Sequence, residues 1–357
     1  MSKVHNFSAG PGILPAEVLS KAAESCINFD DLHLSLLEIS HRSKNFEKVM
    51  DQSRFLVKEL LGLDDDFEVL FLGGGASLQF AMVPSNLLTD KGCAGYVNTG
   101  VWASKAIKEA KIIGNVNVIA SSEDKKFSYI PKGYTIPADL DYLHITSNNT
   151  IYGTQMHAFP AASVPLVCDM SSDIFSRKVD GNHFGLIYAG AQKNMGPAGT
   201  TMVAVRKSIL GKTGRKMFSM LDYQVHIKGE SMYNTPPVFP IYVSMLTMEW
   251  LKKNGGLSWI EDLNNKKSAL LYAEIDRNRM FKGTTAVEDR SKMNVTFVME
   301  NAMLEPEFDK IWKEANISGL RGHRDVGGYR ASLYNALPLE SVEVLVQAMK
   351  HFEEKFA

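Results

Sequence analysis

Two charged residues in the middle of the sequence, Asp169 and Lys193, stand where they could act together. Asp169 follows the apolar run 164–168, and Lys193 lies in the turn after the apolar run 185–189. If both runs are buried parallel strands, their carboxyl ends meet at the edge of the sheet where ligands bind. A lysine amine can form a Schiff base with pyridoxal phosphate, and a carboxylate can keep the pyridine nitrogen protonated, so that the ring accepts electrons. The pair predicts that chemistry, and two ordinary strand-end charges remain the alternative interpretation.

The elements that would position this pair are short apolar runs that alternate with helical stretches. Gly-rich or polar turns end the runs, so the residues just after each strand carry the most interest. Such alternation predicts an α/β fold with a mostly parallel sheet and helices on both faces. The predicted strands are seven, at residues 68–72, 94–98, 115–120, 142–146, 165–169, 185–189 and 200–205.

A chain of 357 residues is long for a single core, and we predict two domains. The large domain would cover residues 16–260 and a smaller C-terminal α/β domain residues 261–357, with the N-terminal arm, residues 1–15, packing on the smaller one. The helical spacing of apolar residues predicts a long helix at 255–279. Residues 208–245 lose the alternating pattern, and we predict loop and short helix there.

Composition excludes several classes of protein. Lysine and arginine number 39 and aspartate and glutamate 40, for a net charge of −1, whereas a nucleic-acid-binding protein needs a basic excess. Three cysteines without motif spacing predict no disulfide framework and fit a reducing compartment. The histidines lack metal-ligand spacing, no apolar stretch reaches the roughly 18 residues of a membrane span, and no secretory signal is present. We therefore predict a soluble, cytoplasmic protein that binds no metal, nucleic acid or membrane.

A set of motifs carries a resemblance that runs nearly end to end. The motifs are Asn6-Phe7-Ser8-Ala9-Gly10-Pro11-Gly12, Glu38-Ile39-Ser40-His41-Arg42, Asp169-Met170-Ser171-Ser172-Asp173, the stretch 188–199 around Lys193, Gly322-His323-Arg324 and the stretch 327–336 around Arg330. On these motifs the sequence resembles the phosphoserine aminotransferase family. That family consists of fold-type I pyridoxal-phosphate enzymes of the class V aminotransferase group.

The resemblance implies which residues hold the cofactor. Lys193 would form the Schiff base and transfer protons, and Asp169 would contact the pyridine nitrogen. Trp102 would stack on the ring, and Thr150 would bind near its hydroxyl group. The cofactor phosphate would be bound by Ala76, Ser77 and Gln192, and by Asn234 and Thr235 of a neighbouring subunit, which implies a homodimer.

One of these phosphate contacts also has a reason in the sequence itself. Ala76 and Ser77 follow Gly73-Gly74-Gly75 after a predicted strand. A helix that begins there offers free backbone N–H groups to an anion, and glycine lets the anion approach. The loop departs from the family's arginine-containing form, which is one residue shorter.

The resemblance also implies the substrates. Arg330 would bind the α-carboxylate, and His41, Arg42, His323 and Arg324 would bind the phosphate or the side-chain carboxylate of glutamate, as suits charge-assisted donors. The implied reaction is reversible transamination of 3-phosphohydroxypyruvate with L-glutamate, which gives O-phospho-L-serine and 2-oxoglutarate in serine biosynthesis. Formation of 4-phosphohydroxy-threonine in pyridoxine biosynthesis, a use known among relatives, stays open.

Other functions fit the residues less well. A cysteine desulfurase needs a reactive cysteine late in the chain, and all three cysteines lie before residue 170. A serine–pyruvate or alanine–glyoxylate aminotransferase has less reason for two His-Arg pairs. A nicotinamide dehydrogenase would use the Gly-rich turn for pyrophosphate, but the turn lacks G-x-G-x-x-G spacing. A binding or scaffold protein on the same fold would not need Lys193.

Overall fold

The computed structural model describes residues 3–324 and 326–357, which form two sheets of three or more strands with helices around them. The strands are β1 (His5–Asn6), β2 (Phe67–Leu72), β3 (Cys93–Asn98), β4 (Asn115–Ser121), β5 (Tyr142–Thr146), β6 (Asn148–Asn149), β7 (Thr154–Gln155), β8 (Leu166–Asp169), β9 (Leu186–Gly190), β10 (Thr201–Arg206), β11 (Phe281–Gly283), β12 (Asn294–Met299), β13 (Ile317–Ser318) and β14 (Tyr329–Ser332). The α-helices are α1 (Ala16–Ser25), α2 (Lys44–Leu61), α3 (Gly75–Leu87), α4 (Val101–Ile113), α5 (Tyr223–Lys228), α6 (Val238–Lys253), α7 (Gly256–Arg277), α8 (Glu305–Glu314) and α9 (Leu339–Phe356).

The large sheet has seven strands among the described residues, in the order β2–β10–β9–β8–β5–β3–β4. Strand β10 runs antiparallel to both of its neighbours, and the other pairs are parallel. Successive residues of a strand point to opposite faces, so Ile187 packs in the core below the sheet while Leu186 and Tyr188 pack in the core above it. Burial on both faces explains why the strands read as continuous apolar runs. The predicted fold class is confirmed.

Helices cover both faces of this sheet. Helices α2 and α6 pack together on one face, and α3 packs with α4 on the other. Helix α6 begins inside the segment 208–245, so the prediction of loop and short helix is wrong for residues 238–245. This helix is buried along much of its surface and lacks the polar stripe that makes an amphipathic period visible in a sequence.

A separate core lies in the C-terminal part of the chain. The antiparallel sheet β11–β12–β14 packs against α8 and α9 there, and Phe7 of the N-terminal arm lies in the same core. Strand β1 pairs with β13, which ties the arm to this part of the chain. Helix α7 is continuous across the predicted boundary at 260/261, with Ile260 in the large core and Leu271 in the small one.

A buried lysine joins α7 to the segment that follows β14. Lys267 is fully buried, and its Nζ donates to the backbone oxygens of Leu333 and Tyr334, both at 2.9 Å, and of Leu337 at 3.2 Å. Within the described ranges, no carboxylate forms an ion pair with it. The Lys267 side chain is therefore the hydrogen-bond donor for three carbonyl oxygens that lie between β14 and α9, outside the regular elements. Across the same ranges, no helix combines the length and apolarity that a membrane span requires.

Replacing Lys267 with methionine should destabilise the protein. The three carbonyls would lose their donor in the protein interior, and we expect the free energy of unfolding to fall by about 2 kcal/mol in urea titrations. Lys266→Met, an exposed position one residue earlier on α7, is the matched control and should change the free energy of unfolding by less than about 0.5 kcal/mol. Equal free energies of unfolding for Lys267→Met and Lys266→Met would contradict the role of Lys267 as the donor to these carbonyls.

The same comparison has a defined pH dependence. Burial lowers the pKa of Lys267 to about 7 in the folded protein, whereas a lysine in an unfolded chain titrates near 10.4. Between these values the unfolded chain binds the proton more tightly, so the stability from Lys267 rises with pH. The difference in free energy of unfolding between wild type and Lys267→Met should therefore grow from about pH 7 to about pH 10. A difference that stays constant would contradict the lowered pKa.

Candidate active site

The carboxyl ends of the parallel strands bring five sequence-predicted residues into contact or close electrostatic interaction. They are Trp102 after β3, Thr150 after β5, Asp169 at the end of β8, Lys193 after β9 and, from the small sheet, Arg330 on β14. Because these strands point the same way, their ends lie at one edge of the sheet, the usual position of a ligand site in an open α/β fold. The edge therefore forms the candidate active site.

Lys193 lies at the centre of this group. Its Nζ donates to Thr150 Oγ1 at 2.7 Å and lies 5.4 Å from the centre of the Trp102 ring. Burial lowers the pKa of Lys193, the carboxylate of Asp169 opposes this shift and the charge of Arg330 adds to it, and the resulting pKa is about 8. An amine with this pKa is partly neutral near physiological pH and can serve as a nucleophile or a base.

Asp169 is a buried carboxylate, with 5% of the residue exposed. Its Oδ1 accepts a hydrogen bond from the Ser171 N–H at 2.9 Å. Burial raises the pKa of Asp169, while hydrogen bonds from Ser171 and the charge of Lys193 act in the opposite direction. A carboxylate held in this way can bind a protonated ring nitrogen.

Two polar atoms of the group have no hydrogen-bond partner among the residues that the structure describes. The Nε of Arg330 and the Nε1 of Trp102 are buried and unpaired among the described residues. The Arg330 Nη1 donates to the Thr150 backbone oxygen at 3.3 Å, so one residue contacts both Lys193 and Arg330. Burial lowers the pKa of Arg330. Buried donors are normally paired, and unpaired ones at an open sheet edge suit a ligand that accepts hydrogen bonds.

A buried network of amides holds the turn that carries Lys193. Asn194 Nδ2 donates to the Ile174 oxygen at 2.6 Å, and the Asn335 N–H donates to Asn194 Oδ1 at 2.8 Å. Asn264 of α7 in turn donates to Asn335 Oδ1 at 2.9 Å. Asn194 and Asn335 lie in two of the motifs above, but sequence reasoning gave them no role, because their contact joins positions 141 apart.

The N-terminal arm also packs against this turn. The Gly12 N–H donates to the Gln192 oxygen at 2.7 Å, and Tyr334 Oη donates to the Ala9 oxygen at 2.7 Å. A Cβ on Gly12 would lie 2.7 Å from the Lys193 oxygen, so no larger residue fits at that position. The glycines of the arm motif are therefore explained by close approach to the Lys193 turn.

The glycine-rich turn has the form expected of an anion site. Gly74 has φ of 85°, and α3 begins at Gly75, so that Ala76 and Ser77 lie in its first turn with Ser77 exposed. Asn234 and Thr235 are exposed in the loop before α6. Asn234 lines a cavity of about 230 Å³ together with Gly73 and Gly74 of its own chain. The Gln192 side chain lies against Gly190, and no hydrogen bond from it to the turn occurs among the described residues.

The remaining predicted substrate residues lie on two other segments. His41 and Arg42 precede α2; Arg42 is exposed, and the buried Nε2 of His41 lacks a partner among the described residues. Within the described residues, no hydrogen bond joins His41 or Arg42 to Lys193 or Arg330. His323 and Arg324 lie between β13 and β14, and the His323 oxygen accepts hydrogen bonds from Val326 and Gly327. Among the described residues, the group assembled around Lys193 thus consists of Trp102, Thr150, Asp169 and Arg330.

The assembled residues fit pyridoxal phosphate. The donor set comprises an amine of lowered pKa, a buried carboxylate, an aromatic face and a helix N-terminus that follows a glycine turn. In that order, the four groups suit the carbonyl carbon, the pyridine nitrogen, the flat ring and the phosphate of the cofactor. In the described residues no group of three or more His, Cys, Asp or Glu side chains could hold a metal ion.

Comparison with known proteins agrees with this geometry. The family model described as aminotransferase class-V matches residues 4–345. The chain belongs to the class V aminotransferase family.

Individual relatives define the similarity more closely. The chain is 63% identical to the phosphoserine aminotransferase of Flavobacterium psychrophilum, over 99% of both sequences. It is similar to the solved phosphoserine aminotransferase from Bacillus circulans subsp. alkalophilus, with a TM-score of 0.97 and 45% identity over 99% of each chain. The pyridoxal-phosphate-bound phosphoserine aminotransferase from Trichomonas vaginalis gives a TM-score of 0.92 at 34% identity, over 98% of this chain and 100% of that one. The predicted resemblance to the phosphoserine aminotransferases is confirmed.

The lowered pKa of Lys193 can be tested in protein freed of cofactor. We expect acetic anhydride to label Lys193 at a rate that rises through about pH 8, because burial lowers the pKa of its amine to about 8. Labelling would be followed by mass spectrometry from about pH 6 to pH 11, with a synthetic peptide of residues 190–196 as the control that titrates near 10.4. If the labelling rate of Lys193 rises at the same pH as that of the peptide, burial does not lower the pKa of Lys193.

Proposed function

We propose that the protein is a pyridoxal-phosphate-dependent phosphoserine aminotransferase that transfers an amino group between L-glutamate and 3-phosphohydroxypyruvate. The observation that carries the proposal is the position of Lys193, whose amine contacts Thr150 and the Trp102 ring beside the buried carboxylate of Asp169. The similarity to phosphoserine aminotransferases over the whole chain supports the choice of substrates.

The residues of the chain divide the chemical work. When bound, pyridoxal phosphate supplies an electron sink for negative charge at the substrate carbon next to the amino group. Lys193 would hold the cofactor and would then move the proton from that carbon to the cofactor carbon that takes up the amino group, which its lowered pKa favours. Thr150 Oγ1 orients the amine, and Asp169 would hold a proton on the ring nitrogen. Trp102 would cover the ring face and exclude water.

Cationic groups would bind the anionic substrates. Arg330 has an unpaired, buried Nε beside Lys193 and would bind the α-carboxylate as a charge-assisted donor. The substrate phosphate or the glutamate side chain would be bound by His41, Arg42, His323 and Arg324. The unpaired Nε2 of His41 supports that role.

The cofactor phosphate would be shared between two subunits of a homodimer. Ala76, Ser77 and Gln192 would bind it from one subunit, and Asn234 and Thr235 from the other. Large apolar side chains are exposed near the latter pair in sequence, including Phe218 at 81% and Tyr233 at 48%. We infer that these side chains contribute to the contact between the subunits, as exposed apolar patches do. We further infer a cytoplasmic enzyme, which the free thiols of Cys26, Cys93 and Cys168 support.

Replacing Lys193 with alanine should abolish turnover with the fold intact. The variant would lack the amine that holds the cofactor and moves the proton, and we expect a loss of at least about 10⁴-fold in kcat. The measurement is a coupled assay with glutamate and 3-phosphohydroxypyruvate. The non-phosphorylated keto acid serves as a control and should be a poor substrate for the wild-type enzyme in the same assay. The four-carbon phosphorylated keto acid, in the same assay, tests a role in pyridoxine biosynthesis.

Lys105→Ala is the matched control, because Lys105 Nζ also lies over the Trp102 ring, at 4.6 Å, but on the exposed side of α4. This variant should retain most of the wild-type turnover. Wild-type protein that gains no visible absorbance with added pyridoxal phosphate would refute the proposed function, as would substantial transamination by Lys193→Ala.

Mixed dimers test the shared phosphate site. Lys193→Ala and the double variant Asn234→Ala, Thr235→Ala would be co-expressed with different tags and the hybrid purified. One site of the hybrid combines an intact Lys193 with an intact Asn234 and Thr235 from the other chain, so activity should exceed that of either parent and approach half of wild type. Hybrid activity no greater than the mean of the parents would contradict a site shared in this way.

A further inference from the structure

A buried tyrosine–histidine pair lies directly beside Asp169 on the inner strands of the sheet. Tyr188 of β9 is the register partner of Asp169 on β8, and its Oη lies 2.8 Å from the Nε2 of His144 on β5. Tyr188 is 0% exposed and His144 is 1% exposed. All three side chains leave the same face of the sheet, because their strand neighbours Cys168, Ile187, Leu143 and Ile145 pack in the core on the opposite face.

The hydrogen-bond roles in this pair follow from what surrounds the imidazole. Burial lowers the pKa of His144 to about 3, so the ring is neutral and carries one proton. Its Nδ1 is buried with no partner in the described parts of the chain. A proton on Nδ1 would leave a buried N–H unpaired, and such orphaned donors are rare. The proton therefore belongs on Nε2, where it is donated to the Tyr188 oxygen.

That arrangement leaves the Tyr188 hydroxyl hydrogen free to be donated elsewhere. The reverse arrangement would turn an oxygen lone pair of Tyr188 toward an anionic carboxylate, which is repulsive. The Tyr188 hydroxyl, whose hydrogen-bond partner in the structure is His144, also interacts with the Asp169 carboxylate and contributes to lowering the pKa of Asp169 against the effect of burial. The carboxylate would thus have donors on two sides, the Ser171 backbone and the Tyr188 hydroxyl.

We propose that His144 and Tyr188 are positioning residues, in which the imidazole fixes the phenol hydroxyl as a donor that orients Asp169 and keeps it ionised. This inference rests on the proposed function, since an ionised Asp169 matters because it would hold a proton on the cofactor ring. A buried anion needs charge-assisted donors, each stronger than a neutral hydrogen bond. Neither residue would touch the substrate.

The same cluster supplies a matched control. Tyr96 Oη lies 2.8 Å from Tyr142 Oη, and both residues are buried to the same extent as Tyr188. The Tyr96 ring stacks on His144 with centroids 4.8 Å apart, so it belongs to the same packing environment. Its hydroxyl is bound to Tyr142 and not to Asp169. Removing the Tyr96 hydroxyl deletes its bond to Tyr142, whereas removing the Tyr188 hydroxyl deletes its bond to His144 and the donor proposed for the carboxylate.

The test compares Tyr188→Phe with Tyr96→Phe in the holoenzyme. For Tyr188→Phe we expect kcat to fall about tenfold and the dissociation constant for pyridoxal phosphate to rise about tenfold, the loss of one hydrogen bond to a charged group. The KM values of both substrates should stay within about twofold, since the hydroxyl makes no substrate contact. Tyr96→Phe should lower the melting temperature to a similar extent while kcat and cofactor affinity stay at the wild-type level.

A second pair of variants tests the imidazole and serves if Tyr188→Phe does not fold. His144→Gln keeps an amide N–H near the position of Nε2 and should retain more kcat and cofactor affinity than His144→Leu, which has no donor. Equal kcat and cofactor affinity in Tyr188→Phe and Tyr96→Phe, or in the two His144 variants, would overturn the inference. Failure of the wild-type protein to bind pyridoxal phosphate would instead refute the proposed function, so the two failures are distinguishable.

Discussion

Burial of two opposite charges at one edge of a sheet is the constraint on which the site depends. Burial destabilises the charged forms of both Asp169 and Lys193, and it therefore raises the pKa of Asp169 and lowers that of Lys193. Their mutual attraction opposes both shifts. Within the described residues no direct ion pair joins Asp169 and Lys193, so their attraction does not cancel the pKa shifts that burial causes. The result is an amine whose pKa is lowered to about 8, beside a carboxylate that needs further hydrogen-bond donors to stay ionised.

The rest of the structure can be understood as holding that balance in place. The turn that carries Lys193 is bound on one side by the arm through Gly12 and on the other by Asn335 after β14. Lys267 then fixes the carbonyls of the segment that contains Asn335. These contacts come from parts of the chain that are far apart in sequence, so the position of the amine depends on both cores being folded. Rigid support of this kind is what a site needs when small displacements alter reactivity.

Local patterns in the sequence were sufficient for part of this description. Strand ends predicted Asp169 and Lys193, because apolar runs and the turns after them are visible within a few residues. Helix α6 was missed from residue 238, because a helix buried nearly all round shows no amphipathic period. The amides of Asn194 and Asn335 could not be predicted, because their contact joins residues 141 positions apart. Tyr188 and His144 read as ordinary core residues until the sheet register placed them beside Asp169.

Net charge was equally uninformative about the site. A balance of −1 over the chain coexists with Arg330 and Lys193 close enough for the guanidinium to lower the pKa of the amine. A carboxylate that pairs with Arg330 would cancel that repulsion and so raise the pKa of Lys193. The electrostatic environment of Lys193 therefore depends on whether the charge of Arg330 is paired, which a sum of charges over the whole chain does not show.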